Sequence, residues 1–312
     1  MSTPGWGPPA PGQDGFQPGW GQPPPGVGAA PTHPACFRHP DRSTGLRCTR
    51  CGRPACPECL RDAAVGFQCV TCVADGQREV RSATSVVGAR LTPGPPVVTF
   101  ALIGVNVAMY LLTAVLARSA LDNGASALFQ RLALFPYGVA EGELPRLVVS
   151  GFLHFGPLHL LVNMYALYIL GRDLESVLGR VRYGAVYAVS LLSGSTAVML
   201  FQTPNSLTAG ASGAVFGLMG GLAVVLYRLK RSPTPVLTVI ALNVAISVAV
   251  PNISLWGHLG GLVAGGLATA VLVYAPAPRR TQAQVIGLLV LTALLLVLVV
   301  VRVLALQASL GR

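Results

Sequence analysis

From Val97 onward the chain is a succession of apolar runs broken by short polar connections. A helix rises about 1.5 Å per residue, so a run of roughly 20 residues crosses the hydrocarbon of a bilayer, about 30 Å thick. Seven runs approach that length: 97–117, 155–171, 183–201, 210–228, 234–250, 253–274 and 283–302. The pattern predicts seven membrane helices. Residues 118–150, between the first two, mix charge (Arg118, Asp122, Arg131, Glu141, Glu143, Arg146) with apolar patches such as ALFQRLALFPYG, which predicts an element lying along the outer interface, not a span. Ahead of the spans, residues 1–35 are rich in Pro and Gly, repeat PGWG at Pro4–Gly7 and Pro18–Gly21, and hold too few aliphatic side chains to bury a core. A disordered tail is expected there. It has no apolar segment behind a basic start, so it does not read as a secretory signal, and its beginning is expected on the cytosolic side.

Composition agrees with the pattern. Of 312 residues, 52% are hydrophobic and 11% charged, against roughly 25% charged in soluble domains, so the natural solvent for most of the chain is lipid. The net charge of +11 is distributed as a topology signal. Arg172, Arg180 and Arg182, then Arg228, Lys230 and Arg231, then Arg279 and Arg280 fall in alternate connections, while 202–209 and 251–253 carry none. With the positive loops inside, the N-terminus is cytoplasmic and the C-terminus outside. No basic stripe carries the stacking aromatics of single-strand binding, so no nucleic-acid partner is expected. The Arg-rich, Lys-poor, Ala/Val/Gly-heavy composition and the lack of an organelle-targeting pattern fit a multi-pass protein of a bacterial inner membrane.

All seven cysteines lie between Cys36 and Cys72, and an odd number at short spacings points to metal ligands in a reducing compartment. With one histidine they form four pairs, each separated by two residues: Cys36 and His39, Cys48 and Cys51, Cys56 and Cys59, Cys69 and Cys72. Eight ligands suffice for two tetrahedral zinc sites; one site with spare thiols is the other reading. A domain of about 40 residues has too little core to fold unaided, so metal would supply much of its folding energy. The pattern resembles the B-box type of zinc module, whose pairs interleave. That resemblance implies one Zn²⁺ on Cys36, His39, Cys56 and Cys59 and a second on Cys48, Cys51, Cys69 and Cys72, where many such modules have histidines in the last pair. A closed four-ligand site has no position for substrate, so the expected role is structure or recognition, including docking of a cytosolic protein partner.

Two spans contain unexpected polar groups. Ser212 opens the fourth, in TAGASGAVFG, and His258 lies in the second turn of the sixth, in WGHLGGLVAG. The glycines alone have a simpler meaning, since Gly213, Gly217 and Gly221 at four-residue spacing let membrane helices approach closely. A histidine within a span is costly without a partner, however. Both helices descend from the outer surface, so Ser212 and His258 share a depth, and an adjacent hydroxyl and imidazole form the nucleophile and general-base pair of acyl transfer. The second span supplies His154, His159 and Asn163, with the last two on one helical face. No carboxylate lies in the second to seventh spans except at or beyond their cytosolic ends, which predicts a Ser-His dyad without a third member.

Residues 97–275 resemble the rhomboid intramembrane serine proteases. The resemblance is carried by Gly210-Ala211-Ser212-Gly213, by His154, His159 and Asn163, by GRDLESVLGR after the second span, and by HLGGLVAG with His258, in the family's order. It implies a rhomboid-like six-helix core plus one extra C-terminal transmembrane helix, in an all-α polytopic membrane protein with a small zinc-stabilised N-terminal domain. It also implies hydrolysis of peptide bonds in or near the transmembrane segments of membrane-protein substrates, near the outer membrane face. By position, Ser212 is the nucleophile and His258 the base, and the Ser212 N–H, His159 and Asn163 hold the oxyanion. Gly210 leaves backbone room, Gly213 packs beside it, and His154 ties down the outer loop with its ring. Catalysis would need no cofactor. Pro145-Arg146 stands where the family often has Trp-Arg, and Phe216, placed to pack on His258, stands where Tyr is common. The expected organisation is a tail (1–35), a B-box-like domain (36–75), a linker (76–96), the protease domain (97–275), and a linker with a seventh, peripheral helix (276–312). A catalytically inactive client-binding relative and a channel or transporter are the competing classes. The second would show broken helices in an internal repeat, and none is evident.

Overall fold

The computed structural model describes residues 33–79, 84–89, 94–251 and 253–311; the expected tail falls almost wholly outside them. The chain divides into two compact units, Met1–Arg81 and Ser82–Arg312.

The first unit is a knuckle of turns. Strands β1 (Leu60–Asp62) and β2 (Phe67–Cys69) pair antiparallel, with Leu60 opposite Cys69 and Asp62 opposite Phe67. Gly66, at φ +67°, closes the hairpin. Helix α1 (Val70–Glu79) follows, running past the boundary expected at residue 75. The buried core is six of the seven cysteines with Cys51 left exposed, plus Ala55 and Leu60, far too little apolar surface to stabilise a fold alone.

The second unit, over its described residues, is built on helices: α2 (Val97–Ala117), α3 (Ala127–Leu132), α4 (Pro136–Ala140), α5 (Arg146–Val149), α6 (Gly156–Leu178), α7 (Arg180–Phe201), α8 (Ser212–Arg228), α9 (Thr234–Ala249), α10 (Leu255–Tyr274) and α11 (Arg280–Ser309). The protein is thus an all-α polytopic membrane protein. Helices stand at all seven predicted positions, but among the described residues length and composition alone qualify four to cross a bilayer: α2, α7, α10 and the Ala277–Ser309 segment that contains α11. A fifth arises if α6 is counted with Arg146–Phe152, to which it is bent by 91°. Helices α8 and α9 are short, at 17 and 16 residues, and α8 is short because the chain enters the bundle unwound before it. Ahead of α8 that irregular backbone is satisfied inside the protein, by the paired Leu134 and Thr208 and by Gly210 N–H donating to the Ser150 carbonyl at 3.0 Å. Protein burial is the condition under which non-helical backbone is tolerated at membrane depth.

Three polar ties set the frame. Buried Glu175 of α6 accepts from Val98 N–H (3.0 Å), Thr99 N–H (2.8 Å) and Thr99 Oγ1 (2.8 Å), placing a carboxylate on the N-terminus of α2. Asn123 donates to Thr113 Oγ1 and the His154 carbonyl and accepts from Gly156 N–H, joining the end of α2 to the start of α6. Arg146, also buried, pairs with Glu143 at 2.6 Å and donates to the Gln130 and Ala133 carbonyls, so it anchors the outer connection even with Pro145 beside it. The last helix, α11, keeps a largely exposed face, as a peripheral helix would. It is nevertheless fastened by Gln284 to the Val87 and Leu272 carbonyls, by Arg302 to the Met199 carbonyl and by Gln307 to the Ala140 carbonyl.

The centre is α7, α8 and α10. Helices α8 and α10 meet backbone to backbone: a Cβ on Gly261 would collide with the Gly213 carbonyl, and one on Gly265 with the Gly217 backbone. Gly261→Ala is therefore expected to lower stability by about 1–3 kcal/mol, the usual cost of overpacking. Gly104→Ala on α2, where a Cβ meets nothing within 4 Å, should leave the melting temperature in detergent unchanged. Equal melting of the two variants would contradict this packing.

Candidate active site

The first turn of α10 depends on Ser254, which accepts from Gly257 N–H at 3.2 Å and donates to Gln202 Oε1 at 2.6 Å. His258 follows in that first turn, one turn earlier than expected. Its neighbour across the glycine contact is Ser212, the first residue of α8. His258 Nε2 and Ser212 Oγ lie 2.8 Å apart. Phe216, one turn into α8, stacks on the imidazole with centroids 4.1 Å apart and planes within 10°. On the other side, Ser247 Oγ of α9 sits 2.7 Å from His258 Nδ1.

The pair borders an open cavity of about 1170 Å³ lined also by Ser150, His159, Asn163, Gln202 and Gly210. His159 Nδ1 accepts the Phe155 N–H at 3.2 Å, so its proton is on Nε2, the nitrogen that faces Gly210. A Cβ on Gly210, whose φ is +141°, would lie 2.9 Å from that nitrogen, so glycine is required for space and backbone alike. Asn163 donates one amide hydrogen to the His159 carbonyl at 2.9 Å and keeps the other. The Ser212 N–H, at the start of a helix, has no intrahelical partner. Three donors thus border one space beside the hydroxyl. His154 is fully buried, with its ring set edge-on to His159 at 5.0 Å and no hydrogen-bond partner of good geometry at either nitrogen. The His154 backbone carbonyl, accepting from Asn123 Nδ2 at 2.8 Å, ties down the outer loop.

Residues 141–275 match the family model described as Rhomboid domain. The chain is 33% identical over 188 residues to "Rhomboid protease GluP" of Bacillus subtilis (strain 168), covering 57% of this chain and 35% of that protein. It is 36% identical over 141 residues to "Putative rhomboid protease YdcA" of the same organism, covering 44% of this chain and 71% of that protein. The chain belongs to the rhomboid family. A plant relative, "RHOMBOID-like protein 4" of Arabidopsis thaliana, is 35% identical over 137 residues, 42% of this chain and 34% of that protein; the chain thus spans about a third of the length of GluP and of this plant protein. The rhomboid match covers α6–α10, the helices that carry Ser212, His258, His159 and Asn163.

The first unit offers a different chemistry. The ligand atoms of Cys36, His39, Cys56 and Cys59 lie within 4.8 Å of one another, as do those of Cys48, Cys51, Cys69 and Cys72. Tetrahedral zinc, with Zn–S about 2.3 Å and Zn–N about 2.0 Å, requires ligand separations of roughly 3.5–3.8 Å. His39 Nδ1 is 3.3, 3.4 and 3.9 Å from the three sulfurs, and Cys51 Sγ is 3.8 Å from Cys69 Sγ. Both donor sets fit. Burial, reinforced by neighbouring thiols, pushes Cys59 up to about 11 and Cys72 up to about 12. At Cys36 and Cys48 burial acts the same way but is outweighed by backbone hydrogen bonds, which hold both at about 6.

Proposed function

We propose that this rhomboid protein is a serine endopeptidase that hydrolyses peptide bonds in or near transmembrane segments of other membrane proteins. The observation carrying the reading is the 2.8 Å contact between Ser212 Oγ and His258 Nε2 at the edge of a cavity within an apolar bundle. Ser212 Oγ attacks the scissile carbonyl carbon and its proton passes to Nε2. The carbonyl π pair moves to oxygen, which the Ser212 N–H, His159 Nε2–H and Asn163 Nδ2–H hold. The intermediate collapses as Nε2 returns the proton to the leaving amine; water, deprotonated by the same nitrogen, then releases the acyl group. Phe216 packs the imidazole from one face, Gly210 leaves the oxyanion side open, and Gly213 lets α10 approach. His154 we assign to packing beside His159.

We further read residues 36–75 as a B-box-like module holding two structural zinc ions, 97–275 as the protease domain and 276–312 as its appended helix. Zinc would supply the folding energy that the small core lacks, with no part in catalysis. The arginine-bearing connections support a cytoplasmic module and an outer end of α11, and the Arg-rich, Lys-poor composition supports a bacterial inner membrane.

In detergent, the protein is expected to cleave a single-span substrate, and Ser212→Ala or His258→Ala to abolish the cleavage. Asn163→Ala should lower turnover by roughly 10²–10³, the worth of one oxyanion donor. A mechanism-based serine reagent should form an adduct at Ser212. Undiminished cleavage by both dyad variants would overturn the reading, and a wild-type protein inert to substrate and reagent alike would mark an inactive relative. Elemental analysis should find about two zinc per chain. Because binding displaces thiol protons, acidification should release the metal and unfold the module, seen as loss of its helical and hairpin signals; a metal content near zero at neutral pH would refute the assignment.

A further inference from the structure

Helix α9 packs mainly along α8 and α10. Most of its side chains are exposed, but Ser247 is buried and reaches the far side of the His258 ring, at 2.7 Å from Nδ1. The same hydroxyl lies 2.7 Å from the Asn243 carbonyl one turn back. It has a single hydrogen, so only one of these contacts can be its donation.

The carbonyl decides which. Asn243 O can only accept, and two oxygens at 2.7 Å without a proton between them repel. The Ser247 hydrogen must therefore point at Asn243, so the contact with the imidazole is made by an Oγ lone pair, and Nδ1 carries the ring proton. Nε2 is then the unprotonated nitrogen, and it is the one facing Ser212. The result is a one-way chain: Ser212 Oγ–H to Nε2, Nδ1–H to Ser247 Oγ, Ser247 Oγ–H to the Asn243 carbonyl.

We infer that Ser247 is a positioning residue that fixes the tautomer of His258 and leaves Nε2 free to take the Ser212 proton. This inference rests on the protease reading above and adds to it the role that a carboxylate fills in a triad. The hydroxyl supplies orientation without a charge. When Nε2 gains the Ser212 proton, the imidazolium keeps its Nδ1–H bond to Ser247, so no second proton moves. Among the residues lining the cavity, His159 on α6 is the other ionisable side chain; Ser212 and Phe216 on α8 and Ser247 on α9 complete the contacts of the ring.

Two replacements of equal shape separate the hydrogen bond from packing. Threonine keeps a hydroxyl able to bond back to the helix carbonyl, and valine lacks it. In the full-length protein, Ser247→Val is expected to lower kcat on the order of 10- to 100-fold with KM little changed, part of the 10²–10⁴ worth of a general base. Ser247→Thr should recover most of that loss. Ring-¹⁵N-histidine NMR, with His258→Ala to assign the signal, should show the Nδ1–H form in wild type and Ser247→Thr and a shift toward Nε2–H in Ser247→Val. Equal activity of the valine and threonine variants, or an Nε2–H ring in wild type, overturns the inference. Cleavage surviving in Ser212→Ala would instead overturn the protease reading, and the nitrogen spectrum would still decide whether Ser247 sets the tautomer.

Discussion

The membrane unit depends on one constraint: α8 and α10 touch through their backbones. Apolar side chains gain nothing by leaving lipid for one another, so close approach and van der Waals contact must hold such helices together. Gly213, Gly217, Gly261 and Gly265 remove the Cβ atoms that would separate the two axes. That contact brings the first residue of one helix to the first turn of the other, and the hydroxyl and imidazole meet because no side chain stands between them. Gly194 on α7 extends the contact, since a Cβ there would come within 2.9 Å of the Gly257 carbonyl.

Much of this was legible in the residues. Apolar run length located every long helix, and paired spacing located both sulfur clusters, because each signal comes from a local requirement: bilayer thickness for one and ligand geometry for the other. Serine and histidine stood out as polar groups in apolar runs. The contacts missed are those that depend on tertiary placement. Ser247 looks like any small residue of an apolar helix, and nothing in its neighbourhood marks it as the residue beside Nδ1. Glu175 sits in a charged stretch that reads as a solvated helix end, yet it is buried against α2. The His154 carbonyl accepts from Asn123, while its buried ring lies edge-on to His159, a placement that depends on the tertiary path of the chain. The fourth run is expected from residue 210 but α8 begins at Ser212, because hydropathy does not distinguish an apolar helix from an apolar entry loop.

The outer connection shows how a polar segment is held against a greasy bundle. One charge is turned inward while Arg118, Asp122, Arg131, Glu141 and Glu143 are exposed: Arg146 takes two backbone carbonyls and the Glu143 carboxylate, with its guanidinium over the Phe135 ring. Beneath it, Leu134, Val139, Ala140 and Leu147 pack with Val299 and Leu306 of α11. The appended helix therefore braces the outer connection, whose Leu134 pairs with Thr208 just ahead of Gly210, by apolar contact and by the Gln307 bond.

Mechanical compliance in this bundle is unevenly distributed. Where glycine backbones interlock, as in α7, α8 and α10, no slack exists for sliding or rotation. The 16 residues of α9 are held by little except their edges, so thermal fluctuations of the assembly concentrate there. The stiff part of the molecule thus holds the oxygen and the ring, and the soft part holds the hydroxyl that orients the ring, so displacement of a single helix is enough to put the site out of tune while the pair itself stays in contact.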